Sequence, residues 1–162
     1  MPEIRYPFKT MRFKVEFDGV ESAGFSEVSG GDISVDVVEY REGNDLRTTP
    51  RKLAGLTKYS NITLKWGVIG SMEMMEWLNT VSSNNTAGPT GIARKNLTIK
   101  LLDDTGAEGP SWEVINAWPT HYTGPSLNAL GSEVAIESLE IAHEGIWRVD
   151  GGAIDSATPS EI

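Results

Sequence analysis

Apolar and polar residues alternate along much of the chain. Met11, Phe13, Val15 and Phe17 interleave with Arg12, Lys14, Glu16 and Asp18, and Asp18-Gly19 then supplies a turn. A period of two places successive side chains on opposite faces, so this stretch predicts a half-buried strand. The same pattern returns in Ile33-Val35-Val37, in Ile62-Leu64-Trp66 around Thr63 and Lys65, and in Leu97-Ile99-Leu101 around Thr98 and Lys100. The last of these ends at a predicted turn, Asp103-Asp104-Thr105-Gly106. Two runs change phase, Val37-Val38-Tyr40 after Ile33-Val35 and Leu139-Ile141 after Val134-Ile136, as a bulge in each strand would produce. Trp112 to Trp118 is apolar on both phases, which predicts a strand covered on both faces, by the domain's own helix or by a neighbouring subunit.

One segment has helical spacing. Gly70-Ser71 offers an N-cap, Glu73 suits the first turn, and Met72, Met75, Leu78 and Val81 form a stripe with Met74 and Trp77 beside it. The helix is expected to end near Ser82, before a loop over Asn84–Gly91. Met72, Met74 and Met75 are expected to fill gaps between helix and sheet, where flexible thioethers pack well. Between Tyr40 and Asn61 the punctuation by Gly43-Asn44, Pro50 and Gly55 predicts a long connection, with Leu46, Leu53, Leu56 and Tyr59 scattered along it. No internal repeat is visible. A single domain is expected over residues 1–150, with a frayed tail over 151–162.

Composition narrows the class. The 162 residues suffice for a hydrophobic core, and the absence of cysteine removes disulfides, thiolate zinc sites and cysteine nucleophiles together. The amino terminus lacks the apolar run of a signal peptide and no stretch approaches membrane-spanning length, so cytoplasmic synthesis is expected. Fourteen basic against 23 acidic side chains give a net charge of −9, which argues against binding nucleic acid through phosphate contacts. The charge is lopsided: residues 103–162 carry Arg148 alone against eleven acids, net −10, whereas residues 1–102 are close to neutral. Within that first part, residues 41–58 hold five basic side chains against Glu42 and Asp45, net +3. A solvated face would account for this stretch taken alone. The sharper reading is that copies of the chain attract one another, acidic surface to basic loop.

Catalytic chemistry finds little support. His121 and His143 have no partners at metal-ligand spacing, and Asp103-Asp104 is more simply a turn than a carboxylate pair. Ser29-Gly30-Gly31-Asp32 is not followed by a helix, so it makes a poor phosphate loop. Three Asn-x-Thr triplets, at Asn61, Asn84-Asn85-Thr86 and Asn96, match the glycosylation pattern by chance, two of them inside predicted strands. Glu137 and Glu144 are strand acids of the kind that face solvent or pair across an interface.

Several segments, taken together and in order, resemble the phage tail tube family, specifically inner-tube subunits of contractile tails and of phage-tail-like extracellular contractile injection systems. The resemblance lies in Ala23-Gly24-Phe25-Ser26-Glu27-Val28-Ser29-Gly30, Val38-Glu39-Tyr40-Arg41-Glu42-Gly43, and Arg51-Lys52-Leu53-Ala54-Gly55-Leu56-Thr57-Lys58 running into Asn61–Gly67. It continues through Glu76-Trp77-Leu78, Asn116-Ala117-Trp118-Pro119 and Glu133–Gly145, covering roughly Arg12 to Arg148. Gly31 and Ala54 stand where the family pattern has Leu and Pro.

The resemblance implies a mainly β fold: an antiparallel β-barrel or sandwich with one packed α-helix and a long extended loop. It also implies six copies per ring, rings stacked into a conduit for protein or DNA cargo, and no catalysis, cofactor or metal. Sheath and baseplate proteins are the implied partners, without direct membrane binding, in a particle assembled in the cytoplasm and released outside it. The Tyr40–Asn61 segment would then reach an adjacent subunit through Arg41, Arg47, Arg51, Lys52, Leu53, Leu56 and Lys58. Sheet edges are expected to pair around the ring. The same role in a true contractile phage or a secretion system is the near alternative, and a small β-barrel binding module or enzyme the distant one.

Overall fold

The computed structural model describes residues 7–18, 20–21, 24–68, 73–81 and 94–149. In chain order the elements are β1 (Phe13–Phe17), β2 (Val20–Glu21), β3 (Glu27–Ser29), β4 (Ile33–Tyr40), β5 (Arg51–Tyr59), β6 (Ile62–Gly67), α1 (Glu73–Asn79), β7 (Lys95–Leu102), β8 (Glu108–Thr123), β9 (Ile136–Ala142) and β10 (Gly145–Val149). All pairings are antiparallel. The main sheet runs β2-β1-β7-β8-β9-β6-β3 with β10 also on β8, while among the described residues β4 and β5 pair only with each other. The expected mainly β architecture with one helix is present.

A sixteen-residue strand makes this sheet fold over on itself. The first half of β8 pairs with β7 and β10, and its second half pairs with β9, so β8 belongs to both layers. Between them the strand bends at Asn116, which sits at φ 50°. Two steps of β7, Lys95 to Leu97, face three of β8, Ala117 to Val114, so the extra residue of the bulge falls in this part of β8. Asparagine tolerates the left-handed region better than most residues, because its amide can bond locally. Here it does: Asn116 Nδ2 donates to Glu144 Oε2 at 2.8 Å, and its amide donates to Asn96 Oδ1 at 3.1 Å. Arg94 donates to the other oxygen of Glu144 at 3.0 Å. A second bulge follows between Pro119 and His121. Sequence placed a bulge in the partner strand around Leu139. The β6–β9 register runs unbroken from Ile62–Ile141 to Gly67–Ile136, so β9 is regular and Val134 precedes it. Ile136 and Leu139 differ in phase because they point to opposite faces.

Between the layers lies one core: Val15, Phe17, Leu97, Val114 and Ile146 from one side, Ile62, Leu64, Trp66, Leu139 and Ile141 from the other. One end of the sandwich is stoppered by α1. Trp77 meets Phe17 edge-on at 5.6 Å between centroids, Phe25 meets Trp66 edge-on at 5.9 Å, and Lys95 Nζ lies 5.4 Å from the Trp77 ring. The helix buries Met74 and Trp77, with Met75 and Leu78 half-buried and Val81 in the following turn. The predicted stripe is therefore displaced by one residue, because a helix of seven residues lies across the sheet end rather than along a face. Met72, the Gly70-Ser71 cap, Ser82, the Asn84–Gly91 loop, Gly19 and the tail over 151–162 lie outside the described residues.

The Asp103–Gly106 turn forms as expected. Asp103 Oδ1 accepts from the Thr105 hydroxyl at 2.6 Å and from the amides of Thr105 and Ala107 at 2.9 Å. These bonds, that of the Thr105 hydroxyl foremost, hold the carboxyl below its ordinary value.

Candidate functional site

β4 and β5 carry the clearest departure from a self-sufficient domain. Their pairing shows that Tyr40–Asn61 is not one long connection: only residues 41–50 form a loop, and Arg51–Tyr59 is a strand. The alternation of β5 is disguised by a bulge. Val35 pairs with Thr57 but Val37 pairs with Ala54, so Gly55 and Leu56 together oppose Asp36. A Cβ at Gly55 would stand 3.0 Å from the Asp36 carbonyl oxygen, closer than real Cβ contacts usually come.

Cross-strand partners share a face, so the ribbon has two. One face presents Ile33, Val35, Val37, Ala54, Thr57 and Tyr59, with Glu39 opposite Lys52 at its distal end. The other presents Val38, Tyr40, Leu53 and Arg51, with Lys58 Nζ paired to Asp36 Oδ2 at 3.2 Å nearer the root. Beyond its root, where Tyr59 packs beside His143 with ring centroids 5.7 Å apart, neither face is covered by the described residues. Val37 is 60% exposed and Leu56 75%, whereas Ile62 and Leu64, in a stretch of identical alternation, are at 1% and 0%.

The root of the ribbon is firmly built. Ser60 N donates to Asp32 O at 3.0 Å, Asp32 N donates to Ser60 Oγ at 2.9 Å, and His143 Nε2 donates to Ser60 O at 2.8 Å. Gly30 holds φ 102° with its Cα against the Asn61 carbonyl, where a Cβ would come within 2.4 Å, so only glycine fits. Hence Ser29-Gly30-Gly31-Asp32 is a close backbone crossing at the root of the ribbon rather than an anion loop.

The sequence-predicted contact residues divide. Arg51, Lys52, Leu53, Leu56 and Lys58 lie on β5, and Arg41 and Arg47 lie in the 41–50 loop. Arg41 braces its own loop, donating through Nε to Arg47 O at 2.8 Å and through an Nη to Asp45 O at 3.0 Å. Lys58 is engaged with Asp36. Arg47, Arg51 and Lys52 present exposed side chains. Sequence reasoning missed the β4 half of the surface, Ile33 to Tyr40, since its alternation read as an ordinary core strand. The phase change at Val37-Val38-Tyr40, expected to mark a bulge in this strand, is instead apolar content on both faces of a regular β4, and the extra residue lies in β5.

Two further apolar features stand uncovered. Opposite α1, the sandwich opens into a groove of about 650 Å³ lined by Phe13, Val28, Ile62, Leu101, Trp112 and Ile146. In the loop between β8 and β9, Leu127, Leu130 and Val134 are exposed.

The candidate carboxylates are structural. Glu137 accepts from Trp66 Nε1 at 3.0 Å and Glu144 bridges Asn116 and Arg94. Burial first, and then the hydrogen bond and charge of Glu137, push the Tyr122 hydroxyl upward. Among the described residues no cluster of three or more His, Asp or Glu could hold a metal, and no helix is long and apolar enough to cross a membrane.

Known proteins share this fold. A chain of the sheath–tube complex of an extracellular contractile injection system, PVC, in its extended state is 32% identical over 91% of this chain and 94% of its own, with a TM-score of 0.78. A chain of the anti-feeding prophage cap, which terminates the tube, is 31% identical over 93% of this chain and 95% of its own, with a TM-score of 0.80. Hcp1 from Flavobacterium johnsoniae shares the fold at 18% identity, covering 86% of this chain and 96% of its own, with a TM-score of 0.51. No curated protein sequence matches. Residues 9–147 match the family model of the T4-like virus tail tube protein gp19, and with that match spanning nearly the whole described chain, this protein belongs to the tail tube family.

Proposed function

We propose that this tail tube subunit forms the inner tube of an extracellular contractile injection particle, as six-membered rings stacked into a conduit. The observation that carries this is the β4–β5 ribbon, apolar on both faces and covered on neither, in a chain of the tail tube family. An isolated two-stranded ribbon is marginal in water, so one held out from its domain is best explained by a partner that covers it. Other copies of the chain are that partner, through Arg41, Arg47, Arg51, Lys52, Leu53, Leu56 and Lys58 together with the β4 residues Val35 to Tyr40. Free edges at β2, β3 and β10 join copies within a ring. The subunit works by geometry and carries no catalysis; a sheath surrounds the tube, a baseplate starts it, and protein or DNA cargo travels inside. Assembly takes place in the cytoplasm before release.

Electron microscopy of concentrated purified protein tests the reading, with rings or tubes as the expected result and monomers under all conditions as the refutation. Arg51→Glu with Lys52→Glu is expected to leave the monomer fold intact and to block tubes, since like charges meet across the contact. A double variant that unfolds would show instead that these residues act within the subunit.

A further inference from the structure

Resting on the tube reading, we infer that the second face of the β4–β5 ribbon, Val38, Tyr40, Arg51 and Leu53, seats on the β8–β9 loop of another copy, around Leu127, Leu130 and Glu133. Three observations lead there. The first is chemical match. The ribbon face is apolar with Arg51 exposed at its distal end, and the loop offers Leu127 and Leu130 at 81% and 97% exposure beside Val134 and the exposed acid Glu133. The wider charge agrees, since residues 41–58 are net +3 and residues 103–162 net −10.

The second is preorganisation. Leu130 N donates to Asn128 Oδ1 at 3.0 Å and Gly131 N donates to Asn128 O at 3.0 Å, so a tight turn fixes Leu130 outward before any partner arrives. A side chain already held in its bound position loses little freedom on docking. An apolar residue displayed on a braced turn is costly to a free monomer and useful to an assembled one.

The third is position. The ribbon leaves the domain at Ser60 and Asp32, beside the Ile62 end of β6. The loop is tied to the other end of β6: Val68 N donates to Ala135 O at 2.9 Å, and Gly67 pairs with Ile136. Five steps of strand separate the two, about 17 Å at ~3.3 Å per residue. A donor at one end and an acceptor at the other make a heterologous contact, in which each copy gives once and receives once. Such contacts cannot close as a pair: they close into a ring or run on as an open stack, and this seating is the one between stacked rings.

The natural chain has no cysteine, which makes the test clean. A Leu53→Cys, Leu130→Cys variant is assembled under reducing conditions, treated with a short bifunctional thiol crosslinker and run on a denaturing gel. A ladder extending beyond six chains is expected, because every copy links to a donor and to an acceptor. The pair Val38→Cys with Val134→Cys samples the same contact through different side chains and is expected to give the same ladder. Tubes that run as monomers with both pairs overturn the seating while leaving the tube reading intact, and products that stop at dimers overturn its heterologous character. Wild-type protein that never forms rings overturns the tube reading and the seating with it. A charge exchange adds an independent readout: Arg51→Glu and Glu133→Arg are each expected to shorten tubes at least tenfold, and the two combined to restore them. Combined variants no longer than the single ones would remove Glu133 from the contact.

Discussion

Two strands of this chain carry nearly the same hydrophobic pattern and meet opposite fates. β6 presents Ile62, Leu64 and Trp66 to the core and buries all three, whereas β4 presents Ile33, Val35 and Val37 and leaves all three about half exposed or more. Alternation states that one face of a strand is to be covered and is silent about what covers it. In β6 the cover is the opposing layer of the same chain. In β4 the described residues offer none, and the proposed assembly would supply it. The second signal is the opposite face: β6 shows Thr63 and Lys65 there, as a solvated face should, while β4 shows Val38 and Tyr40. A strand apolar on both phases but absent from the core belongs to an interface.

The largest expected effect breaks the self-contained side of this comparison. Trp77→Ala removes the ring that stoppers the sandwich against Phe17, and about 3–5 kcal/mol of monomer stability should go with it. Leu64→Ala should cost about 2–5 kcal/mol by the same route. Denaturant unfolding of the monomer measures both. A Trp77 variant unfolding within ~0.5 kcal/mol of wild type, the range of surface changes, would place the helix outside the core.

On the other side, Val37→Ala should shift monomer stability by no more than about 0.5 kcal/mol, because the side chain is exposed in the free subunit. Its effect should appear instead as a raised critical concentration for tube formation, measured by pelleting. A Val37 variant as destabilised as Leu64→Ala would erase the contrast.

Between these lies the bend in β8. Asn116→Ala forfeits the hydrogen bond to Glu144 and places alanine in the left-handed region, which costs roughly 1–2 kcal/mol. Asn116→Gly should come closer to wild type, since glycine adopts that conformation freely. Thermal unfolding of the two variants separates backbone from side-chain contributions.

The smallest effect is titrational. Glu108 receives Lys14 at 2.7 Å and Lys100 at 3.2 Å, and these partners, Lys14 first, hold its carboxyl below the ordinary value. A group depressed in the folded state stabilises above its unfolded value, and that contribution is lost as pH falls through the folded one. Asp103 acts with the same sign. Wild type should therefore be the more stable of the two near neutrality, and its stability should fall more steeply on the acid side than that of Glu108→Gln until the two converge once Glu108 is protonated.

How much of this was legible beforehand depended on where each partner lies. β1, β6 and β7 could be read from sequence because their apolar residues alternate without interruption and the opposing layer of the same chain covers them. β5 could not, because its bulge at Gly55-Leu56 breaks the alternation and its punctuation by Pro50 and Gly55 imitates a loop. Arg51, Lys52, Leu53 and Leu56 were singled out as contact residues on charge and family resemblance, while Val35, Val37 and Val38 passed for core. The helix was found but its face was misjudged by one residue, since seven residues capping the end of a sandwich do not follow the stripe expected of a helix lying along it. The loop knob at Leu127 and Leu130 had no periodicity to reveal it.

The bulge that hid β5 also constrains how this protein can change. Beyond Gly55-Leu56 the ribbon is shifted by one residue relative to a regular hairpin, so the side on which Arg51 and Leu53 emerge is fixed by parity. Loss of Gly55 or Leu56 would only remove the bulge and keep the distal pairs, whereas loss of one residue between Arg51 and Ala54 would turn the residues beyond it to the opposite face. Every copy carries either kind of change, but a substitution alters one side chain per subunit, while a deletion in that distal stretch turns several side chains over in each of them. Variation in this segment should therefore arrive as replacements, or as insertions and deletions in pairs, much as a reading frame tolerates only multiples of its own period.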